Sequence, residues 1–264
     1  MSTVTAGQVK ELRERTGAGM MDCKRALVDT SGDMEEAIKL IREKGLAQAA
    51  KKAGRETTEG KVVFDLSTAN VGAMVAVGCE TEPVSNNEAF MVFAQRVLAE
   101  VGKDGPEAAA GLEEERAELV AKLGENIVVR DAVRYEGQDG DVLTAYVHPP
   151  ANKLGVLLHA RGDDSQAYRL AMHIAASRPL YARRSEVPEA EIEAEREILS
   201  KQPDVQEKPE QVRGKIVEGR IQKWLQEIVL EEQPWIHDTS KKVGEVLDDA
   251  GLELIEFKRL AVTD

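Results

Sequence analysis

The stretch Leu12-Arg-Glu-Arg-Thr-Gly-Ala-Gly-Met-Met-Asp-Cys-Lys-Arg-Ala-Leu27 joins two amphipathic helices through a glycine turn and sets adjacent methionines at the start of the second. Upstream, Thr5 and Gln8 have capping-box spacing, and Val4 and Val9 sit where a hydrophobic staple fastens an entering chain, so a helix begins here. It runs through Val9, Leu12 and Arg13 to Thr16, where Gly17 can take the left-handed conformation that ends a helix. Gly19 allows a tight re-entry. Met20, Cys23, Ala26 and Leu27 then recur at three-to-four-residue spacing, and a third helix starts at Asp33, with Glu36 completing a second capping box and Ala37, Ile38, Leu40 and Ile41 on its apolar face. Three short helices form a bundle with a limited core. Neighbouring helical residues point about 100° apart, so Met20 and Met21 are not expected to be equally buried. Methionine adapts to irregular surfaces, which leaves two readings of the pair open: gap-fillers of a small core, or a docking surface for a partner.

Outward from the bundle, residues 46–60 are rich in Ala, Lys and Gly and read as a linker with a short helix at 47–53. Two strands follow, at 61–67 and 72–81, the second with small or apolar residues on both faces and therefore central. Ser85 with Glu88 marks the next helix start, and Phe90, Met91, Phe93, Ala94, Val97, Leu98 and Val101 give that helix a broad apolar face that must pack on the sheet. A helix near 112–123, strands at 127–135, 142–147 and 154–160, and a helix at 165–177 complete the middle of the chain. Gly72-Ala-Met-Val-Ala-Val followed by a helix resembles Gly155-Val-Leu-Leu-His-Ala followed by a helix, a weak repeat in which residues 80–87 form an added loop.

Residues 185–231 change character. Pro188 opens a helix rich in carboxylates, Gln202-Pro203-Asp204 breaks it, and Pro209 suits the first position of another. In that helix Val217, Ile221, Trp224 and Ile228 make the narrow stripe of an antiparallel pair, so a protruding helical hairpin is expected. Thr239 is expected to cap a short helix containing Val243 and Val246, and 254–262 reads as a strand returning to the second half of the core.

Composition sets independent bounds. The chain has 264 residues, 42% hydrophobic, 31% charged and 4% aromatic, and a formal net charge of −13. That charge argues against nucleic acid as the main ligand. Residues 1–55 nevertheless carry eleven Lys or Arg against eight Asp or Glu, a local excess that could steer the basic end onto an acidic protein surface. No apolar run is long enough to cross a bilayer, Met1–Gly7 lacks the pattern of a leader, and the separated Cys23 and Cys79 suit reduced thiols, so a cytoplasmic location without membrane contact is expected.

The sequence from Val9 to Lys24 is similar to the N-terminal signature of the bacterial elongation factor Ts family. Ordered further matches occur at Ala49-Ala-Lys-Lys-Ala-Gly54, Phe93 to Leu98, Leu123-Gly-Glu-Asn-Ile127, His173-Ile-Ala-Ala-Ser177, Val217-Glu-Gly-Arg220 and Gln233-Pro234. With this resemblance the expected organisation is an α+β fold: a three-helix bundle like ubiquitin-associated (UBA) modules over 1–45, a linker over 46–60, two similar α+β half-domains over 61–136 and 137–184, a helical hairpin over 185–232, and a helix and strand over 233–264 completing the second half-domain. In some members the hairpin mediates self-association, and the sequence fits a homodimer or a solitary arm equally. Many members continue past the last strand into another helix, whereas this sequence ends at Asp264.

The resemblance implies guanine nucleotide exchange on the GTPase elongation factor Tu, without covalent chemistry. Arg13, Met20, Met21 and Lys24 match contacts to the partner's nucleotide-binding domain, while His148 and the segment from His173 to Ser177 would face its more distant domains. Thr81-Glu82-Pro83-Val84 matches the position of the family's magnesium-dislodging motif, usually Thr-Asp-Phe-Val. Here Glu82 keeps the carboxylate with one more methylene, and Pro83 replaces the aromatic wedge with a smaller, rigid body.

The residues agree with a non-enzymatic role. There is no phosphate-binding Gly-x-x-x-x-Gly-Lys-Ser/Thr loop, no Gly-x-Ser-x-Gly elbow, and no metal-ligand spacing among the four histidines and two cysteines. No cofactor is expected. The alternative is a non-catalytic adaptor or holding chaperone that grips partners through the bundle without speeding GDP release.

Overall fold

The structure, a computed structural model, describes residues 4–263. The first three residues of the Met1–Gly7 stretch read for a leader lie outside them. The fold is α+β, and the chain divides into two compact units. One takes in the residues up to 134, with 147–155 and the stretch from 260; the other takes in 135–146 and 156–259.

The first unit opens with α1 (Ala6–Thr16), α2 (Met20–Asp29) and α3 (Met34–Lys52). Thr5 caps α1 reciprocally: the Gln8 amide donates to its hydroxyl at 3.3 Å, and its own amide donates to Gln8 Oε1 at 3.0 Å. Leu12, Cys23, Ala26, Leu27 and Ala37 form the bundle core, with Val9 at its edge and Val4 against it. Asp33 caps α3 by accepting from the Glu36 amide at 3.0 Å.

α3 does not stop near residue 45. It continues unbroken through the segment read as a linker with its own short helix. The reason lies in α6 (Glu113–Leu123), whose close approach leaves no need for a break at Gly45: a Cβ there would stand 3.6 Å from Ala121 Cβ and 3.7 Å from the Ala117 carbonyl oxygen. Arg42 reaches Glu114 at 3.3 Å and Glu118 at 3.4 Å across the same seam.

β1 (Glu59–Asp65), β2 (Val71–Cys79) and β3 (Ile127–Glu136) make a sheet in the order β1-β2-β3, so the strand apolar on both faces is the middle one. β1 and β2 are antiparallel, with Glu59 opposite Cys79 and Asp65 opposite Ala73. α4 (Glu82–Ser85) and α5 (Glu88–Asp104) follow β2. Phe90, Phe93, Ala94, Val97, Leu98 and Val101 share one core with Ala73, Val75, Val77 and Cys79 of β2. The expected cap at Ser85 is displaced. Ser85 closes α4, buried, its hydroxyl donating to the Glu82 carbonyl at 2.9 Å, and Asn87 caps α5 by accepting from the Ala89 amide at 2.9 Å. The loop's own turn of helix takes up the two residues that separate the two candidates.

β4 (Asp141–Val147), β5 (Leu154–Gly162) and β8 (Leu252–Ala261), most of whose residues fall in the second unit, form a sheet in the order β4-β5-β8, and α7 (Ala167–Ser177) follows β5. The central-strand-then-helix pattern of β2 and α5 thus recurs in β5 and α7. The hairpin consists of α8 (Glu189–Ser200), α9 (Pro203–Gln206) and α10 (Glu210–Ile228). Its buried stripe on α10 is Val217, Ile221 and Leu225, packed with Leu199 and Val205; Trp224 and Ile228, expected in that stripe, are only half buried on its flank. The shift follows from a four-and-four spacing that keeps one line facing α8.

The return segment holds a ribbon that the sequence reading missed, β6 (Pro234–Trp235) with β7 (Asp238–Lys242), before α11 (Val243–Ala250). Thr239 lies within β7 and does not cap α11. Lys242 stands at that cap instead, its amide donating to Glu245 Oε2 at 3.0 Å.

Candidate partner-docking surface

The turn after α1 is held from beneath. Gly17 adopts φ 68°, the Thr16 hydroxyl donates to the Leu12 carbonyl at 2.7 Å, and the Asp22 and Cys23 amides both donate to the Gly19 carbonyl at 2.9 Å. Cys23 takes the core position of this turn, and burial pushes its thiol pKa up. Met20 and Met21 are therefore directed outward, 58% and 62% exposed. The expected inequality between them is absent: neither belongs to the core. Val28, seven residues beyond Met21 and on the same helix face, is also exposed, as are Lys24 and Arg13.

A cleft of about 400 Å³ joins this turn to the start of α5, with Gly17 and Lys122 on one side and Ala89 and Val92 on the other. Val92 is 62% exposed. Sequence reasoning passed over it because it falls off the apolar face of α5.

The Thr81-Glu82-Pro83-Val84 segment lies in the same unit, just before α5. Thr81, Glu82 and Pro83 are exposed, and Val84 is half buried against the core of the first sheet. Glu82 and Pro83 form the first turn of α4, where the fixed φ of proline suits a helix start. Glu125, 44 residues on, accepts hydrogen bonds from the Thr81 amide at 3.0 Å and its hydroxyl at 2.6 Å. Nothing local in the sequence marks that contact; its signal was the matched segment Leu123 to Ile127, read only for its resemblance.

His148, just past the end of β4 in the 147–155 stretch of the first unit, is exposed, its amide donating to the Leu154 carbonyl at 2.8 Å. His173 is fully enclosed, against expectation. Its Nδ1 accepts from the Ile236 amide at 3.3 Å, which leaves Nε2 to donate to Gln233 Oε1 at 2.8 Å, and its ring stacks on Trp235 with centroids 5.3 Å apart. Burial lowers its pKa, in keeping with a neutral ring that accepts from a backbone amide. This side chain fastens the β6–β7 ribbon to α7, and no face of it is open to a partner.

Among the described residues no cluster of His, Cys, Asp and Glu could hold a metal ion, and no helix is long and apolar enough to cross a membrane. The features that stand out are an outward methionine pair, a cleft lined by both charged and apolar side chains, and an exposed loop tied to Glu125.

The family model described as Elongation factor TS matches residues 80–264. Elongation factor Ts of Thioalkalivibrio sulfidiphilus is 46% identical over 98% of this chain and 92% of its own length. The same-named proteins of Methylococcus capsulatus and Vibrio vulnificus are 41% and 42% identical, each over 98% of this chain and over 92% and 91% of their own lengths. The chain belongs to the elongation factor Ts family, and with it to the factors of translation elongation.

Proposed function

We propose that the protein is the guanine nucleotide exchange factor of elongation factor Tu in the cytoplasm, promoting GDP release by disturbing the partner's phosphate and magnesium contacts. The observation that carries this reading is the projecting Thr81–Val84 segment, which offers a carboxylate and a rigid apolar body to a partner while its base is tied to the fold. Arg13, Met20, Met21 and Lys24 would dock the nucleotide-binding domain and bring the segment to its target. His148, which is exposed, would face a more distant domain of the partner. Linkage supplies the thermodynamics: a factor that prefers the nucleotide-free partner weakens GDP binding by the same coupling free energy with which GDP weakens the factor's own binding. Faster release requires in addition that the ternary complex form before GDP leaves.

Stopped-flow release of fluorescent GDP from the cognate elongation factor Tu tests the reading. Acceleration that saturates with factor concentration is expected. Tight binding with GDP release at its spontaneous rate would support instead an adaptor or chaperone gripping through the bundle, the reading that the outward methionines alone would allow.

A further inference from the structure

We propose that Glu125 is the positioning residue of the exchange loop: its carboxylate fixes Thr81 so that Glu82 and Pro83 meet the partner in one orientation. The inference rests on the exchange reading above and adds to it a residue that acts through Thr81.

The geometry is a reciprocal clamp between the end of β2 and the turn joining α6 to β3. Glu125 Oε2 accepts from the Glu80 amide at 3.2 Å and the Thr81 amide at 3.0 Å, while Oε1 accepts from the Thr81 hydroxyl at 2.6 Å. In the other direction, the Asn126 amide donates to Glu80 Oε1 at 2.6 Å. Thr81 is held from a third side, because the Cys79 thiol donates to its carbonyl oxygen at 3.3 Å. Burial, with the Glu125 charge as the next cause, pushes that thiol up to about 12, so it stays a donor and does not become a nucleophile.

Thr81 occupies the N-cap position of α4, where a threonine hydroxyl ordinarily accepts from an amide of its own helix. No such bond is made. The hydroxyl is turned back to Glu125 instead, so local helix capping is given up for a long-range tie. A glutamate has both the reach and two accepting oxygens for these three groups; an aspartate is shorter by a methylene, and a glutamine has one accepting oxygen, so its nitrogen would have to donate to the Thr81 hydroxyl with the hydroxyl proton turned away. A loop that must displace groups in a partner gains from this rigidity, since any orientation it has to find after docking lowers the rate of the step it drives.

The test is the rate of fluorescent GDP release from the cognate elongation factor Tu, titrated with factor to separate the rate at saturation from the half-saturating concentration. Glu125→Ala should lower the saturated rate by about tenfold or more while the half-saturating concentration changes less than about threefold. Glu125→Gln should fall between Glu125→Ala and the parent. Thr81→Val, which keeps both main-chain bonds to Glu125 and the side-chain shape, should lower the saturated rate in the same direction and decides the matter if Glu125→Ala does not fold. Folded variants with the parent's saturated rate overturn the proposal, whatever happens to their affinity or thermal midpoint, because the clamp would then be structural only. A parent protein that leaves GDP release at its spontaneous rate overturns the exchange reading itself, and this proposal with it.

Discussion

Met20 and Met21 occupy the first two positions of α2, more than half exposed, so their substitution separates docking from folding. Carboxylates at a helix N-terminus interact favourably with its dipole. Met20→Asp/Met21→Asp should leave stability within about 0.5 kcal/mol of the parent, as for other exposed positions. It should weaken the complex with elongation factor Tu by about 3 kcal/mol, the scale of an interface anchor replaced by an unpaired charge. Calorimetric binding together with thermal denaturation checks both halves, and parent-like affinity would remove the pair from the interface. Pro83 poses a different question, because its small ring cannot act as an aromatic lever. Pro83→Phe is expected to alter GDP release within the complex, and its dependence on free magnesium, more than it alters affinity; an unchanged magnesium dependence would detach this loop from the magnesium step. His173 gives a pH signature. Its pKa in the folded protein is lowered from the ordinary 6.5 by burial, so the unfolded chain binds the extra proton more readily. Its contribution to stability is therefore present above the unfolded-state value and is lost as pH falls from about 6.5 towards the lowered folded-state value. His173→Gln should flatten the urea-denaturation midpoint over that window, and an unchanged slope would mean that another group carries it.

Among the elements, two glycines look alike in sequence and differ in what surrounds them. Gly60 in β1 has φ 148°, and a Cβ there would run into the carbonyl oxygen of Val77 on β2. Gly45 in α3 has ordinary helical geometry and room for a methyl group beside Ala121. Gly60→Ala should therefore destabilise by more than about 1 kcal/mol, whereas Gly45→Ala should be neutral or stabilising by up to about 1 kcal/mol, the helix-propensity difference. Equal denaturant midpoints for the two variants would contradict this account. The same contrast explains what could be read in advance. The bundle, the central β2 and the apolar face of α5 were legible because period and capping chemistry are local, as in Thr5 with Gln8 or Val75 beside Val77. The cap of α5 was misplaced by two residues because Ser85 and Asn87 are both good caps and only tertiary packing buries Ser85. The ribbon around Trp235 depends on His173 more than 60 residues away, and the clamp on Thr81 depends on Glu125 over a similar range. Pairings of that kind leave no periodic trace, so in the second unit a buried histidine was mistaken for a surface contact.

For the molecule as a whole, its association state turns on the hairpin, whose sequence fitted an arm or a dimer module equally. Its apolar side chains largely satisfy one another: Leu199, Val205, Val217, Ile221 and Leu225 close a core between α8, α9 and α10, and Ile192, Trp224 and Ile228 lean on it. Between residues 185 and 232, only Ile198 and Val212 remain as exposed large apolar residues among those described. Ile198 shares α8 with the exposed Glu189, Glu191, Glu193 and Glu197, and Val212 stands apart in the first turn of α10, two residues from the exposed Glu210. A stable dimer needs about 800 Å² per partner with a dry apolar centre, and two scattered aliphatic side chains on helices that also expose carboxylates do not supply it. The net charge of −13 adds repulsion between copies. The protein should therefore sediment as a single 28.9 kDa species at micromolar concentration. Lowering ionic strength should not promote association, because the opposed hairpins would carry like charge. Ile198→Glu should leave the sedimentation coefficient as it is. If the parent instead sediments at twice this mass and Ile198→Glu returns it to the monomer, the hairpin is a dimerisation module, and its exposed isoleucine is the anchor that this reading of its core dismissed.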